Sequence, residues 1–229
     1  MEIKKELNSL KNPAKAAILQ RFFKTGKGEY GEGDIFLGIT VPEQRKVAAR
    51  YKDLPLKKIK ELLESNIHEH RLTGLMILVF KFKKAKEEEK KEIFDFYLNH
   101  TGRINNWDLV DLSSPNIVGE WLLFKDKDII YKLAFSANFW ERRIAAVSTL
   151  RFIKENSLDD TFAVAELLLK DEHDLIHKAV GWMLREAGKK DQKKLEAFLD
   201  KNSQKMPRTM LRYAIEKFTE EKRKHYLGK

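Results

Sequence analysis

The chain has 229 residues, of which 42% are hydrophobic, and it contains no cysteine. This length and hydrophobic content suit one well-packed domain and exclude an intrinsically disordered chain. The lack of cysteine excludes disulfide frameworks, cysteine zinc sites and thiol nucleophiles, and it fits a reducing compartment. No long apolar run opens the sequence, so we predict a cytoplasmic protein without a signal peptide or a membrane span.

The positive charge is concentrated near the C-terminus. The formal net charge is +10, and residues 189–229 carry 13 Lys+Arg against 6 Asp+Glu, so this segment supplies +7 of it. Such a segment favours a polyanion as partner. A solvated helix face explains the same residues equally well, so charge alone leaves both interpretations open.

The first motif in chain order is a glycine-rich segment. Gly26-Lys-Gly-Glu-Tyr-Gly31 has the G-x-G-x-x-G spacing of dinucleotide-binding turns. That motif requires a preceding strand and a following helix, and neither is predicted here. Glu29, Glu32 and Asp34 would also repel a pyrophosphate. We therefore predict a structured loop without a nucleotide.

From residue 40 onward the sequence is patterned as helices. Thr40-Val-Pro-Glu43 has the form of a capping box with proline in the first turn, and it predicts a helix start. Apolar residues then recur at helical spacing, for example at Leu72, Leu75 and Met76. The chain has only 11 Gly and 5 Pro, which argues against turn-rich all-β folds. We predict an all-α protein.

The segment Asn105-Asn-Trp-Asp-Leu-Val-Asp111 places an indole and a carboxylate on one helical face, because Trp107 and Asp111 are four residues apart. A carboxylate on this face is unexpected in a protein that binds a polyanion, so the pair of Trp107 and Asp111 suggests a catalytic role. The alternative is a core tryptophan beside an aspartate that caps a helix or pairs with a base. Ser114 is the predicted N-cap of the next helix with Pro115 at its first position, so this helix is predicted to stop before it.

Basic residues recur at a regular interval along the chain. Arg71 and Arg143 are 72 residues apart, Lys178 follows 35 residues later, and half of the first interval falls on Trp107. These four residues would hold equivalent places in successive helix pairs. We therefore predict a single domain, residues 1–229, built as a HEAT-like solenoid that is curved and has a basic concave face. The alternative is that small residues near these bases only allow close helix packing, with the bases pointing outward.

Two pairs of histidines are candidate metal ligands. His68 and His70 lack the spacing of a zinc-binding helix, whereas His173 and His177 have it but lack an evident third ligand. We predict no metal site, and we expect these histidines to be exposed on their helices.

Four stretches together resemble the AlkD-type DNA alkylation repair glycosylases, a family of HEAT-like repeat proteins. The resemblance is strongest from about residue 68 to residue 214 and rests on their order and spacing. The stretches are Asn106-Trp-Asp-Leu-Val-Asp111 followed by Pro115, Trp140-Glu-Arg-Arg143, Lys178-Ala-Val-Gly-Trp-Met-Leu-Arg185, and Arg208-Thr-Met-Leu-Arg-Tyr-Ala214.

The resemblance implies an enzyme that hydrolyses the N-glycosidic bond of N3- or N7-alkylated purines, such as 3-methyladenine and 7-methylguanine, in duplex DNA during base excision repair. It also implies that the lesion stays in the base stack, unlike in most glycosylases. By the same resemblance Asp111 is the catalytic carboxylate, Trp107 and Trp182 lie beside the deoxyribose of the lesion, and Arg143 lies near the DNA backbone. No cofactor or metal is implied. We expect a cytoplasmic monomer that associates with the nucleoid when it binds DNA.

The remaining predicted DNA contacts are basic side chains: Arg71, Lys178, Arg185, Arg208 and Arg212. One segment departs from the family pattern, because residues 28–39 are rich in glycine and acidic residues where the best-known members have an aromatic segment. Two alternatives stay open at this point: a non-catalytic HEAT-like protein that binds DNA or branched nucleic acid, and a module for protein interaction.

Overall fold

A computed structural model describes residues 1–228. Every regular element in that range is a helix, and Ile35 and Ile67 form an isolated parallel β-bridge. The predicted all-α helical-repeat fold is confirmed. The helices are α1 (Glu2–Ser9), α2 (Pro13–Phe22), α3 (Val41–Arg50), α4 (Leu56–Leu63), α5 (His68–Lys84), α6 (Glu87–Leu98), α7 (Trp107–Ser114), α8 (Glu120–Leu122), α9 (Asp128–Ala134), α10 (Phe139–Lys154), α11 (Asp159–Leu167), α12 (Asp174–Lys190), α13 (Gln192–Asn202), α14 (Arg208–Ala214) and α15 (Glu220–Gly228), with a 3₁₀ turn at Thr101–Arg103 and a π turn at Pro115–Gly119.

The chain divides into two compact units, Met1–Ser113 and a second unit that begins at Ser114. In the first unit α5 is the central helix, and α1, α3, α4 and α6 pack against it. Most residues of α5 are buried, including Leu75, Ile77 and Leu78. Residues 72–79 in the middle of α5 are apolar nearly all round, and such a segment is stable only when other elements cover it, which explains this central position.

Helix α3 begins as the capping box predicts. Glu43 Oε2 accepts from the Thr40 amide at 2.9 Å, and the Thr40 side chain accepts in return from the Glu43 amide. These bonds satisfy amide groups that a helix start leaves without partners.

Residues 26–39 form a loop, as predicted. Gly28, Gly33 and Gly38 have positive φ angles of 78°, 85° and 84°, a backbone region that glycine enters without strain. Two of the acidic side chains serve the loop itself: Glu29 accepts from the Gly26 amide and Glu32 from the Gly28 amide, each at 2.8 Å.

In the second unit α12 packs against both α10 and α14, while α9 and α11 pack against α10 and α13 packs against α12. Gly181 makes one of these contacts possible. A Cβ atom at this position would lie 2.5 Å from Tyr213 Cβ and 2.6 Å from the Met210 carbonyl oxygen. Gly181 therefore allows the close approach of α12 and α14, as the alternative interpretation of the small residues expects.

The predicted stop before Pro115 is wrong. Ser114 has helical angles (φ −62°, ψ −42°), and residues Pro115–Gly119 continue as a π turn into α8. Proline lacks an amide proton and its ring clashes with the carbonyl four residues earlier. The wider π turn makes room for the ring, and the missing donor is not replaced. The chain is therefore helical from Trp107 to Leu122 without a break.

None of the helices in residues 1–228 combines the length and the apolar character that a bilayer crossing demands. The HEAT-like relationship, the curved basic concave face and the single-domain organisation stay predictions.

Candidate active site

Helix α7 has one buried face and one accessible face. Leu109, Val110 and Ser113 are buried, whereas Trp107 and Asp111 are partly exposed. Because these two residues are four apart on one helix, the indole and the carboxylate share the accessible face. The structure thus brings together the two predicted site residues of the first unit.

Trp107 lies at the end of a series of stacked rings. Its ring lies parallel to that of Phe23, with 5.1 Å between centroids and 18° between planes. Phe23 stacks in turn on Phe36 at 5.0 Å, and Phe36 stacks on His68 at 4.5 Å. Phe22 meets Trp107 edge-on at 5.9 Å and is 61% exposed. Aromatic side chains from the end of α2 therefore flank the site.

A buried ionic cluster lies under the start of α7. His68 Nδ1 lies 3.1 Å from Asp34 Oδ2, and His68 Nε2 lies 2.8 Å from Asp108 Oδ2. Arg71 Nη2 donates to Asp34 Oδ1 at 2.6 Å. Asn106 joins the cluster weakly, since its amide donates to Asp34 Oδ2 at 3.4 Å. We call Asp34, His68, Arg71 and Asp108 the buried ionic cluster.

The ionisation of this cluster follows from its contacts. Burial alone would lower the pKa of His68, but the charge and hydrogen bond of Asp108 and the hydrogen bond of Asp34 raise it to about 9. Burial alone would raise the pKa of Asp34, yet the hydrogen bond from His68 and the charge of Arg71 lower it overall. At neutral pH the imidazole of His68 is therefore protonated and the carboxyl group of Asp34 is ionised.

Arg71 is placed differently from its prediction as a DNA contact. The side chain is 1% exposed, and besides Asp34 it donates from Nη1 to the Ser65 carbonyl oxygen at 2.9 Å. A buried guanidinium is retained where a carboxylate pairs with it, because an unpaired charge is costly in a protein interior. Arg71 is a structural partner of Asp34 and not a surface base.

Tyr97 supports the buried face of α7. Its hydroxyl lies 2.9 Å from Ser113 Oγ, and Ser113 Oγ donates to the Leu109 carbonyl oxygen at 2.5 Å. Burial raises the pKa of Tyr97, and the nearby charge of Asp111 raises it further. The phenol therefore stays neutral and can hold its hydrogen bond at physiological pH.

In the second unit, Arg143 is held near the start of α10. It is 5% exposed, and Nη1 donates to the Leu175 carbonyl oxygen at 2.5 Å. Asn138 caps this helix by accepting from the amide of Trp140, which is itself buried. The position of Arg143 is thus fixed from two helices, α10 and the first turn of α12.

Trp182 and Arg185 lie on α12. Trp182 is partly buried and packs against a core cluster that includes Ile153 and Met183. Arg185 forms ion pairs with Glu186 and Glu216. The tryptophan therefore has a packing role, whatever further role it has in binding.

Three basic residues of the second unit share one position along their helices. Arg143, Lys178 and Arg212 are each the fifth residue of their helices, α10, α12 and α14. The fifth residue of α7 is Asp111, whereas Trp107 is the first. The predicted equivalence of Trp107 with the bases is therefore wrong by one helical turn, and an acid occupies the position at which the later helices have a base.

Other bases of the second unit are accessible. Arg208 and Arg212 are exposed on α14, and Arg208 Nη1 donates to the Leu227 carbonyl oxygen at 2.8 Å. Lys178 lies 2.6 Å from Asp174. A cavity of about 440 Å³ is lined by Arg185, Lys189, Lys190 and Lys217 together with Gln192 and apolar side chains. This basic hollow has the charge that a phosphate group requires.

The expectation that the histidines are exposed is wrong for His68 and His70, which are buried in the first unit. The two histidines with metal-ligand spacing are partly buried and have other roles. His173 caps α12 by accepting from the Leu175 amide at 3.2 Å, and His177 Nε2 lies 2.5 Å from the Asp171 carbonyl oxygen. Over residues 1–228, no group of three or more His, Cys, Asp or Glu side chains is arranged to hold a metal ion.

Sequence reasoning missed three contributors to the site. Phe22 and Phe23 flank Trp107, and Asp34 anchors the buried ionic cluster. The two adjacent phenylalanines are an available signal in the sequence. Asp34 gave none, because in sequence it is one of several acids in a loop.

The amino-acid sequence and the fold were compared with those of known proteins. The family model described as DNA alkylation repair enzyme matches residues 3–218. The fold is similar to that of a solved structure described as a predicted DNA alkylation repair enzyme from Enterococcus faecalis, with a TM-score of 0.71 and 19% identity over 92% of this chain and 97% of the other. No curated protein matches the chain.

Proposed function

The chain belongs to the DNA alkylation repair enzyme family, and from this premise we propose that it is a DNA glycosylase. It hydrolyses the N-glycosidic bond of cationic N3- or N7-alkylated purines, including 3-methyladenine and 7-methylguanine, in duplex DNA. The observation that carries the proposal is the accessible face of α7, on which Trp107 and Asp111 stand one turn apart.

The reaction does not require a general acid to protonate the leaving base. Alkylation gives the purine a positive charge, so the C1′–N bond breaks with its electron pair going to the base, which leaves neutral. The sugar then has oxocarbenium character, and a water oxygen bonds to C1′ while its proton passes to the carboxylate or to solvent. The Asp111 carboxylate stabilises the positive sugar and orients the water, a type of contribution whose removal costs a factor of about 10² to 10³.

Aromatic rings suit the same transition state. The face of an indole attracts a cation, and such contacts contribute about 0.5 to 2 kcal/mol. Trp107 is held in a fixed orientation by Phe23, so its ring needs little reorganisation when a cationic sugar forms. We propose that Trp182 supplies the second ring beside the sugar. We propose that the guanidinium of Arg143 lies beside the DNA backbone.

We further propose that the backbone of the DNA duplex contacts the basic side chains of the second unit. Support comes from the shared helix position of Arg143, Lys178 and Arg212 and from the exposure of Arg208 and Arg212. Arg185 and the lysines of the basic hollow extend the same charge. Phosphate contacts of this kind give affinity without sequence preference, which a repair enzyme that scans DNA requires.

The test is release of free base from duplex DNA that contains 7-methylguanine, measured in buffer with a metal chelator. We expect release by the wild type, loss of release in Asp111→Asn, and unchanged or tighter DNA binding in that variant because a negative charge is removed. Asp95→Asn is the matched control: it removes a carboxylate of the first unit that pairs with Lys91 on the surface. Equal release by wild type and Asp111→Asn would remove Asp111 from the mechanism. No release by the wild type, with salt-dependent DNA binding, would favour a non-catalytic DNA-binding protein.

A further inference from the structure

We propose that His68 is a positioning residue for α7: by bridging Asp34 and Asp108 it fixes the first turn of this helix, and with it the Trp107 indole and the Asp111 carboxylate. The proposal deepens the proposed function and rests on it. His68 reaches neither the accessible face nor solvent, since it is 1% exposed, so it acts through its neighbours.

The bridge joins three parts of the first unit. His68 is the first residue of α5, Asp34 belongs to the loop 26–39, and Asp108 is the second residue of α7. The distances are 3.1 Å from His68 Nδ1 to Asp34 Oδ2 and 2.8 Å from His68 Nε2 to Asp108 Oδ2. One imidazole ring thus ties the start of α7 to the most buried helix of the unit.

Asn106 completes the anchor of the first turn. Its side-chain oxygen accepts from the Trp107 amide at 2.8 Å, and its carbonyl oxygen accepts from the Val110 amide at 3.1 Å. The side-chain amide group of Asn106 donates to Asp34 Oδ2. The residues immediately before and after Trp107 are therefore both linked to Asp34, one directly and one through His68.

A second connection runs through the rings. His68 stacks on Phe36 at 4.5 Å and lies 5.1 Å from the ring of Phe23, whose ring is parallel to that of Trp107. The orientation of the indole is thus fixed from its backbone side by Asp108 and from its face by Phe23. A side chain with only a packing role would make the second connection without the first.

The charge of the cluster favours this arrangement. Only a protonated imidazole donates from both nitrogens, and the groups that face His68 are the carboxylates of Asp34 and Asp108 and the guanidinium of Arg71. The raised pKa of His68, about 9, keeps both donors in place at neutral pH. The two positive and two negative charges balance, so the bridge is held without a net buried charge.

The test compares His68→Gln with His70→Gln in the full chain. Glutamine at 68 donates to one carboxylate and releases the other. His70 is the matched control because it is buried on the same helix, two residues away, and bonds to Ser65 at 2.9 Å instead of to the cluster. Three quantities are measured: the single-turnover rate of 7-methylguanine release, the dissociation constant for an unmodified duplex, and the ¹H–¹⁵N indole resonance of Trp107, assigned with Trp107→Phe.

We expect His68→Gln to lower the single-turnover rate by a factor of about 10 to 100, the size expected when a reacting group is displaced by about 1 Å. The duplex dissociation constant should stay within a factor of about two of the wild-type value, and the Trp107 indole resonance should shift or broaden. His70→Gln should leave the rate and the resonance unchanged. A wild-type rate in His68→Gln, or an unmoved Trp107 resonance, would overturn the proposal.

Two further outcomes are covered by the same design. If His68→Gln does not fold, Asp108→Ala removes the acceptor that links His68 to α7 while leaving the pair of Arg71 and Asp34, and it is measured in the same way. If the wild type releases no base, the proposed function fails, and the Trp107 resonance alone then decides whether His68 positions α7.

Discussion

The rings of Phe23 and Trp107 lie parallel, with 5.1 Å between their centroids and 18° between their planes. Phe23 is buried and Trp107 is partly exposed, so one face of the indole is covered by protein. Offset stacked rings attract one another by about 0.5 to 1.5 kcal/mol beyond their burial. Phe23 therefore restrains the orientation of the ring that we place beside the sugar.

The first prediction concerns this stack. Phe23→Leu should lower the single-turnover rate of base release by about tenfold, since the indole loses the ring that fixes its orientation, while duplex affinity changes little. Phe82→Leu is the matched control, because Phe82 is a buried phenylalanine on α5 of the same unit and makes no ring contact with Trp107. Both variants should lose stability. A reduced rate in Phe82→Leu as large as that in Phe23→Leu would assign the effect to general destabilisation.

The sequence was sufficient for the helices but not for this stack. The capping box at Thr40 and the i, i+4 pair of Trp107 and Asp111 are local signals, and local signals specify helix starts and helix faces. The contacts of Trp107 with Phe23 come from residues 84 positions apart, and no periodicity links them. Asp34 illustrates the same limit, because only the folded chain distinguishes it from the acids that bond within the loop.

The second prediction is a maximum of stability near pH 6.5. Because the pKa of His68 is about 9 in the folded protein and about 6.5 when unfolded, its stabilisation is complete below pH 6.5, decreases from pH 6.5 to 9, and is absent above pH 9. The difference corresponds to about 3 kcal/mol in the free energy of unfolding.

Burial lowers the pKa of His70 to about 4, with the charges of Lys4 and Arg71 adding to the effect. The unfolded chain therefore binds the extra proton between pH 4 and 6.5, and stability rises with pH over that range.

Urea unfolding midpoints from pH 4 to pH 10 check both limbs. His68→Gln should remove the decline above pH 6.5, and His70→Gln should remove part of the rise below it. The carboxylates of the chain also titrate at acid pH, so the comparison is the difference between each variant and the wild type. A decline above pH 6.5 that persists in His68→Gln would show that another group causes it.

The third prediction concerns the salt dependence of DNA binding. Arg212 is exposed on α14, at the helix position that Arg143 and Lys178 share, and we expect it to contact a phosphate. Arg212→Ala should weaken binding to every duplex alike and make the slope of log K against log salt smaller by about 1. Lys201→Ala is the control: Lys201 is an exposed base on α13 that pairs with Glu166 at 2.8 Å. Equal losses of affinity in the two variants would mean that only total charge matters.

The bases of the second unit show how far a repeat pattern extends. Arg143 and Lys178 are 35 residues apart, and each is the fifth residue of its helix. Extrapolation backward failed for two physical reasons. Helix α7 begins at Trp107, so the shared position falls on Asp111, and α5 begins at His68, so Arg71 is its fourth residue.

The fourth prediction tests the close contact of α12 with α14. Gly181→Ala should destabilise the protein by about 1 to 3 kcal/mol, because the new Cβ atom would lie 2.5 Å from Tyr213 Cβ and 2.6 Å from the Met210 carbonyl oxygen. The helices must move apart, and Arg212 on α14 moves with them, so DNA affinity should fall as well. Gly102→Ala is the matched control, since nothing lies within 4 Å of a Cβ atom there. Urea midpoints and duplex dissociation constants measure both effects. A Gly181→Ala protein with unchanged stability would mean that the two helices adjust without cost.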